Sequence, residues 1–191
     1  MAKPKRASDT MRSTIFTVPP QHPDVSFAVL RRTYDGHRND SRIFAALKMH
    51  PINRPLTLAD HRPDVKCEVL LPDDAEDRLA DPRILFEDYE AKQVPDQSDL
   101  VTHVKLSPRV RKIHHLWEDS RRFAREQLVK KESMAVLMIM HVPQLSPPHV
   151  HLLIPCRALT PTGWGAFAQQ LARDGGCKRV SDAWAQFKLT L

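Results

Sequence analysis

The sequence predicts an α+β domain: a single antiparallel sheet of about five strands with helices on one face. Three observations carry this reading. Residues 65–71 (VKCEVLL) and 100–106 (LVTHVKL) alternate apolar and polar residues, the period of a strand with one wet face. The run from Ser133 to His141 (SMAVLMIMH) is nearly all apolar and leads into a proline-rich loop, so it reads as a strand buried on both faces. Between them lies one long stretch with apolar residues at helical spacing.

Residues 1–24 read as a flexible basic arm, with Lys3, Lys5, Arg6 and Arg12 among four prolines and one short apolar stretch at Ile15 and Phe16. Residues 25–191 are expected to form the domain. Its first strand is 26–32 (SFAVLRR). Residues 41–49 (SRIFAALKM) open on a capping serine, continue in good helix formers and stop before Pro51, which predicts a short helix. Strand 65–71 follows and ends at Pro72. Residues 82–91 (PRILFEDYEA) predict another short helix, capped by Asp81 and with proline in its first turn. After strand 100–106, the longest helix is expected over 108–128. Ile113, Leu116, Trp117, Phe123 and Leu128 line one face of it. Its other face is basic, with Arg109, Arg111, Lys112, Arg121, Arg122 and Arg125. Strand 133–141 is expected at the centre of the sheet, paired with 149–154 (HVHLLI). Two helices should finish the chain, 165–173 closed by Gly175-Gly176 and 181–187 capped by Ser181. Trp117, Trp164 and Trp184 fall in helical patterns and are expected in the core.

Composition narrows the function classes. A chain of roughly 150 residues or more buries about two-thirds of its unfolded surface, so 191 residues predict a real core. No apolar run reaches the ~18 residues of a membrane span. The basic start has no apolar stretch after it and is not a secretory signal, so a cytoplasmic protein is expected. Cys67, Cys156 and Cys177 are widely spaced and form no CxxC pair, which reads as reduced thiols without a structural zinc knuckle. A net charge of +6 and a pI of 9.4 favour an anionic partner, of which nucleic acid is the commonest. The alternative is a charge that serves solubility alone.

The stretch MHVPQLSPPHVHLLIPC, Met140 to Cys156, holds three histidines. In a strand, residues two apart project from the same face, so His149 and His151 point one way. If the two strands pair as a hairpin, His141 ends the first where His149 begins the second. Three imidazoles then converge at one edge and can ligate a divalent metal with coordination positions left open. Leu153 rules out three alternating histidines, and His151 rules out a His-x-Ser/Thr pair. His103 shares a face with Val101 and Lys105 and is expected to be wet, with a contact to the metal site as the alternative. His114 and His115 are adjacent on the long helix, cannot share a face and should lie on the surface. His61 is a loop residue with no evident partner.

His141, the turn and residues 148–153 (PHVHLL) resemble the third motif of the MobA/MobL plasmid relaxases, within the wider class whose signature is His, a bulky apolar residue, His. Residues 64–72 (DVKCEVLLP) are similar to the family's second strand and its closing proline. Residues 104–108 (VKLSP) and the helix to Leu128 are similar to its next strand end and helix, and residues 157–165 (RALTPTGWG) to the segment after the histidines. The resemblance covers roughly residues 25–190, and the spacing from His141 to His149 is one residue longer than the usual pattern. It implies an HUH/relaxase-like palm. It also implies a domain that binds single-stranded DNA at an origin of transfer and nicks one strand during plasmid mobilisation. In such enzymes a tyrosine oxygen attacks the scissile phosphate, and a metal on three histidines polarises a phosphate oxygen. The metal expected on His141, His149 and His151 is Mn or Mg, with Zn or Ni also suited to three nitrogens. No small-molecule substrate is expected.

The nucleophile departs from the pattern. The family's tyrosine lies on the first helix, where this chain has Leu47 or Lys48. The chain has two tyrosines. Tyr34, in the turn RRTYDGHR, is the candidate nucleophile, against the alternative of a surface tyrosine at a strand end. Tyr89 is expected to pack within its helix. Two functions follow from the resemblance: a metal-dependent nicking and strand-transfer domain, or a DNA-binding module that has lost its nucleophile. A truncated or degenerate family member fits either.

Overall fold

The computed structural model describes residues 15–19, 22–51, 65–108 and 112–191. Expectations for residues 1–14, His61, Asp64, Arg109 and Arg111 lie outside the described residues. The chain begins with β1 (Ile15–Val18) and β2 (Val25–Arg31), then a small hairpin of β3 (Thr33–Tyr34) and β4 (His37–Arg38). Next come α1 (Ser41–Met49), β5 (Cys67–Leu70), α2 (Pro82–Ala91) and β6 (Asp99–Leu106). α3 (Ile113–Phe123) continues through a π-helical turn (Ala124–Val129) to Glu132. β7 (Val136–His141), β8 (His149–Pro155), β9 (Arg157–Thr160) and β10 (Gly163–Phe167) follow, and α4 (Gln169–Ala172) and α5 (Asp174–Lys188) end the chain.

The main sheet is antiparallel throughout, in the order β1-β2-β6-β8-β7-β5. The α+β class and the antiparallel sheet are as expected, but the sheet has six strands, and helices cover both of its faces. The reason lies in β7 and β8. Val136, Met138 and Met140 of β7, with Val150, Leu152 and Ile154 of β8, enter one core. Leu137, Ile139 and Leu153 enter the other. A sheet apolar on both sides must be covered on both. α3 and α5 cover the first face with Leu116, Trp117, Phe123, Val180, Trp184 and Phe187. α1, α2 and the β9–β10 hairpin cover the second with Phe44, Leu85, Phe86, Tyr89, Leu159 and Trp164. The sixth strand is β1, from the stretch expected to be an arm, and it pairs along β2 as an edge. β7 lies one strand in from the other edge, because β5 pairs outside it, so β6 and β8 hold the centre.

α1 and α2 keep their expected bounds because their end signals are local. Asp40 and Asp81 each accept two backbone N–H groups at the helix start. The cap of α1 is Asp40 and not Ser41, whose hydroxyl instead donates to Glu90 of α2. The longest helix begins at Ile113, later than residue 108, and Ile113 is 46% exposed and outside the core.

The C-terminal region differs most. Residues 157–167 form a hairpin where a helix was expected from 165. Gly163 turns it with φ +108°, a value that favours glycine. Arg157 donates to the carbonyls of Gly165 and Lys92, and Trp164 donates to Asp88, so the hairpin is fastened to α2. Gly176 does not close a helix. It lies in the first turn of α5, where an added Cβ would stand 2.4 Å from the Leu171 carbonyl oxygen and 2.9 Å from the Phe27 ring. Glycine there lets α5 approach α4 and β2. Among the described residues, no helix is long and apolar enough to cross a membrane.

Candidate metal centre

The β7–β8 hairpin sets the site. Its register places His141 directly opposite His149, with His151 two residues on along β8. The three rings meet edge to face, with centroids 4.5 to 5.4 Å apart. One nitrogen from each lies within 4.8 Å of the others. The remaining nitrogens are held from outside. His141 donates from Nε2 to the Lys48 carbonyl at 2.7 Å, which leaves Nδ1 bare toward the cluster. His149 donates from Nδ1 to the Pro147 carbonyl at 3.0 Å, which leaves Nε2 bare. Such outer partners fix the tautomer and orientation of metal-binding histidines.

Two of the three donors already stand at the spacing a shared cation sets. Two imidazole nitrogens bound to one ion at about 2.1 Å stand about 3.0–3.4 Å apart for bond angles of about 90–110°. His141 Nδ1 and His151 Nε2 are 3.2 Å apart. The three donors together lie within 4.8 Å of one another, so these histidines could hold one divalent ion once the wider pair draws in by a few tenths of an ångström or more.

His103 of β6 joins the cluster, where sequence favoured a wet face. It is buried, with Nε2 2.7 Å from His151 Nδ1 and its ring edge-on to Phe44 of α1. Its sheet face is covered by α1, which the alternation of β6 alone could not show. Burial is the largest cause acting on all four imidazoles and pushes each below the ordinary histidine range, His103 and His151 furthest. Positive charge from Lys48 acts in the same direction on all four. For His141 and His149 the bonds to the carbonyls oppose it. Lys105 stands directly across from His151 in the β6–β8 register, and its charge bears on His103 and His149. Two lysines thus flank the histidines, one from the last turn of α1 and one from β6.

The structure does not bring Tyr34 to this cluster. Ser26, Lys105 and His151 lie at one level across β2, β6 and β8. The chain then runs along β2 to Arg31 at the opposite end, about 16 Å away at ~3.3 Å per residue. Tyr34 lies beyond, in the hairpin turned by Asp35 (φ +49°) and Gly36 (φ +74°). Tyr89 is buried and donates to the Leu100 carbonyl at the same far end. His114 and His115 sit on α3 with their rings 4.2 Å apart, so adjacent histidines do touch here, outside the three-histidine cluster. Sequence reasoning did not single out the lysines or the Lys48 and Pro147 carbonyls. The signal available for Lys105 was its shared face with His103; the pairing of β6 with β8 was not readable.

No curated protein matches the chain. A solved chain described under the molecular basis of vancomycin resistance transfer in Staphylococcus aureus is similar in fold, with a TM-score of 0.62 and 16% identity. The match covers 78% of this chain and 83% of that one. Residues 59–189 match the MobA/MobL family, a span that includes all four histidines and both strands of the site hairpin. The chain belongs to the MobA/MobL family.

Proposed function

We propose that the chain is a plasmid-mobilisation domain whose three-histidine centre holds a divalent ion and engages the phosphodiester backbone of single-stranded DNA. The observation that carries this is the charge of the site: three imidazole ligands, all favouring the neutral form, with Lys48 and Lys105 beside them. Neutral ligands leave a bound cation its full charge, and two ammonium groups add to it, so the site suits an anion. When bound, the ion supplies Lewis acidity toward a phosphate oxygen. His141 and His149 present Nδ1 and Nε2 because their other nitrogens are engaged by carbonyls. Lys105 and Lys48 attract the flanking phosphate charge. Three nitrogen donors favour Mn, Ni or Zn over Mg, whose preference is for oxygen.

The positions of the tyrosines favour binding over tyrosyl transfer. Leu47 or Lys48 occupies the helix position that the family resemblance assigns to the nucleophile. Family membership favours a second reading, strand nicking through Tyr34, which requires that residue to cross the length of β2.

Titrating a pooled single-stranded DNA library by fluorescence anisotropy separates the two. The expected result is binding that needs Mn, is lost in chelator and weakens with salt. No protein–DNA adduct should survive denaturant. Binding indifferent to chelator would remove the metal from the function. An adduct present in wild type and absent in Tyr34→Phe would establish the second reading.

A further inference from the structure

We infer that His103 is a positioning residue of the centre, accepting a hydrogen bond at Nε2 from Nδ1–H of His151 and so turning the bare Nε2 of His151 toward the ion. This inference rests on the metal reading above. His141 and His149 have carbonyl partners, which can only accept, so the hydrogen on each ring is placed. Among the described residues, His151 has no carbonyl partner. Its Nδ1 meets another imidazole, 2.7 Å away, and its Nε2 faces His141 Nδ1 at 3.2 Å. A neutral imidazole carries one hydrogen. If His151 carried it on Nε2, that nitrogen would have no lone pair for a metal, and the centre would keep two donors. With the hydrogen on Nδ1, the third donor exists, and His103 must accept.

Several features hold His103 to this role. It is 8% exposed and comes from the adjacent strand β6, where it faces Leu153 in register. Phe44 of α1 packs edge-on to its ring at 5.5 Å between centroids, which restricts rotation. The ring planes of His103 and His151 are tilted by 35°, so one lone pair can meet one N–H. Like the Lys48 and Pro147 carbonyls on the other two ligands, His103 adds no negative charge, so the cation keeps its attraction for phosphate, whereas a carboxylate at the same place would partly offset it.

Zinc serves as the probe, because its complex is diamagnetic. Wild type, His103→Leu and His103→Gln are titrated by calorimetry, with thermal melts to confirm that each is folded. Leucine fills the space without an acceptor, and glutamine restores an acceptor near Nε2. His103→Leu should lose about 10–100-fold in zinc affinity, the range for losing an outer partner, and His103→Gln should recover most of it. In the zinc-loaded wild type, nitrogen-15 imidazole spectra should show His151 with its hydrogen on Nδ1. Zinc affinity in His103→Leu equal to wild type, or a hydrogen-bearing Nε2 on loaded His151, would overturn the inference while leaving the metal centre standing. A wild type that takes up no zinc would overturn the metal reading, and the inference with it.

Discussion

His141 keeps its Nε2 hydrogen on the Lys48 carbonyl, and that one bond decides which nitrogen faces the cluster. His149 does the same through Pro147. Burial, the main cause, holds all four imidazoles below their unfolded value of 6.5. The sign follows from proton counts. Above about pH 6.5 both folded and unfolded chains are neutral at these residues, and no linked cost arises. Below it, the unfolded chain takes up protons that the folded chain refuses, so stability falls as pH drops toward the lowered native values. The metal-free protein should therefore show a urea midpoint that is steady above about pH 7 and declines from about pH 6.5 downward. A flat midpoint down to about pH 5 would mean that these imidazoles titrate normally. At this scale the sequence was legible where spacing alone sufficed: His149 and His151 share a face because they are two apart on a strand. It favoured a wet His103 and held a contact with the metal site only as the alternative, because the surroundings that bury this residue come from α1 and β8.

Among the elements, the bounds of α1 and α2 were readable because their end signals act within four residues of chain, although the cap of α1 is Asp40 and not the Ser41 that the sequence suggested. The β9–β10 hairpin was not. Its Gly, Trp, Ala and Phe fit helix or strand patterns equally, and bonds from Arg157 and Trp164 to α2 settle the matter from outside. Gly176 was misread for a related reason: a glycine near a helix end signals a cap, but here it relieves a close approach. Alanine favours helix over glycine by about 1 kcal/mol, so propensity alone predicts that Gly176→Ala stabilises. A Cβ at 2.4 Å from a backbone oxygen is not relieved by moving a flexible side chain. Overpacking of this kind costs about 1–3 kcal/mol, so the net effect should be a lower urea midpoint. A higher midpoint in the alanine variant would mean that α4 and α5 shift apart at little cost.

Across the whole molecule, the sheet order β2-β6-β8-β7 assembles one charged end and leaves the tyrosines at the other. Periodicity predicts strands but not their neighbours, so the meeting of Lys105 with His151 came only with the fold. Two variants read this polarity. Lys105→Ala should weaken single-stranded DNA binding and reduce the salt slope by about 0.7, the value for one phosphate contact on a single strand. Tyr34→Phe should change neither metal nor DNA affinity by more than about 2-fold, since its position is remote from the phosphate contacts. A Tyr34→Phe variant with much weakened DNA binding would place the β3–β4 hairpin on the DNA path.

The most direct measurement is anomalous diffraction at the manganese edge from crystals grown with Mn. One anomalous peak should lie about 2.0–2.3 Å from Nδ1 of His141 and from Nε2 of both His149 and His151, and it should vanish in His149→Ala. Manganese bound elsewhere, or no peak at these three nitrogens, would contradict the metal centre.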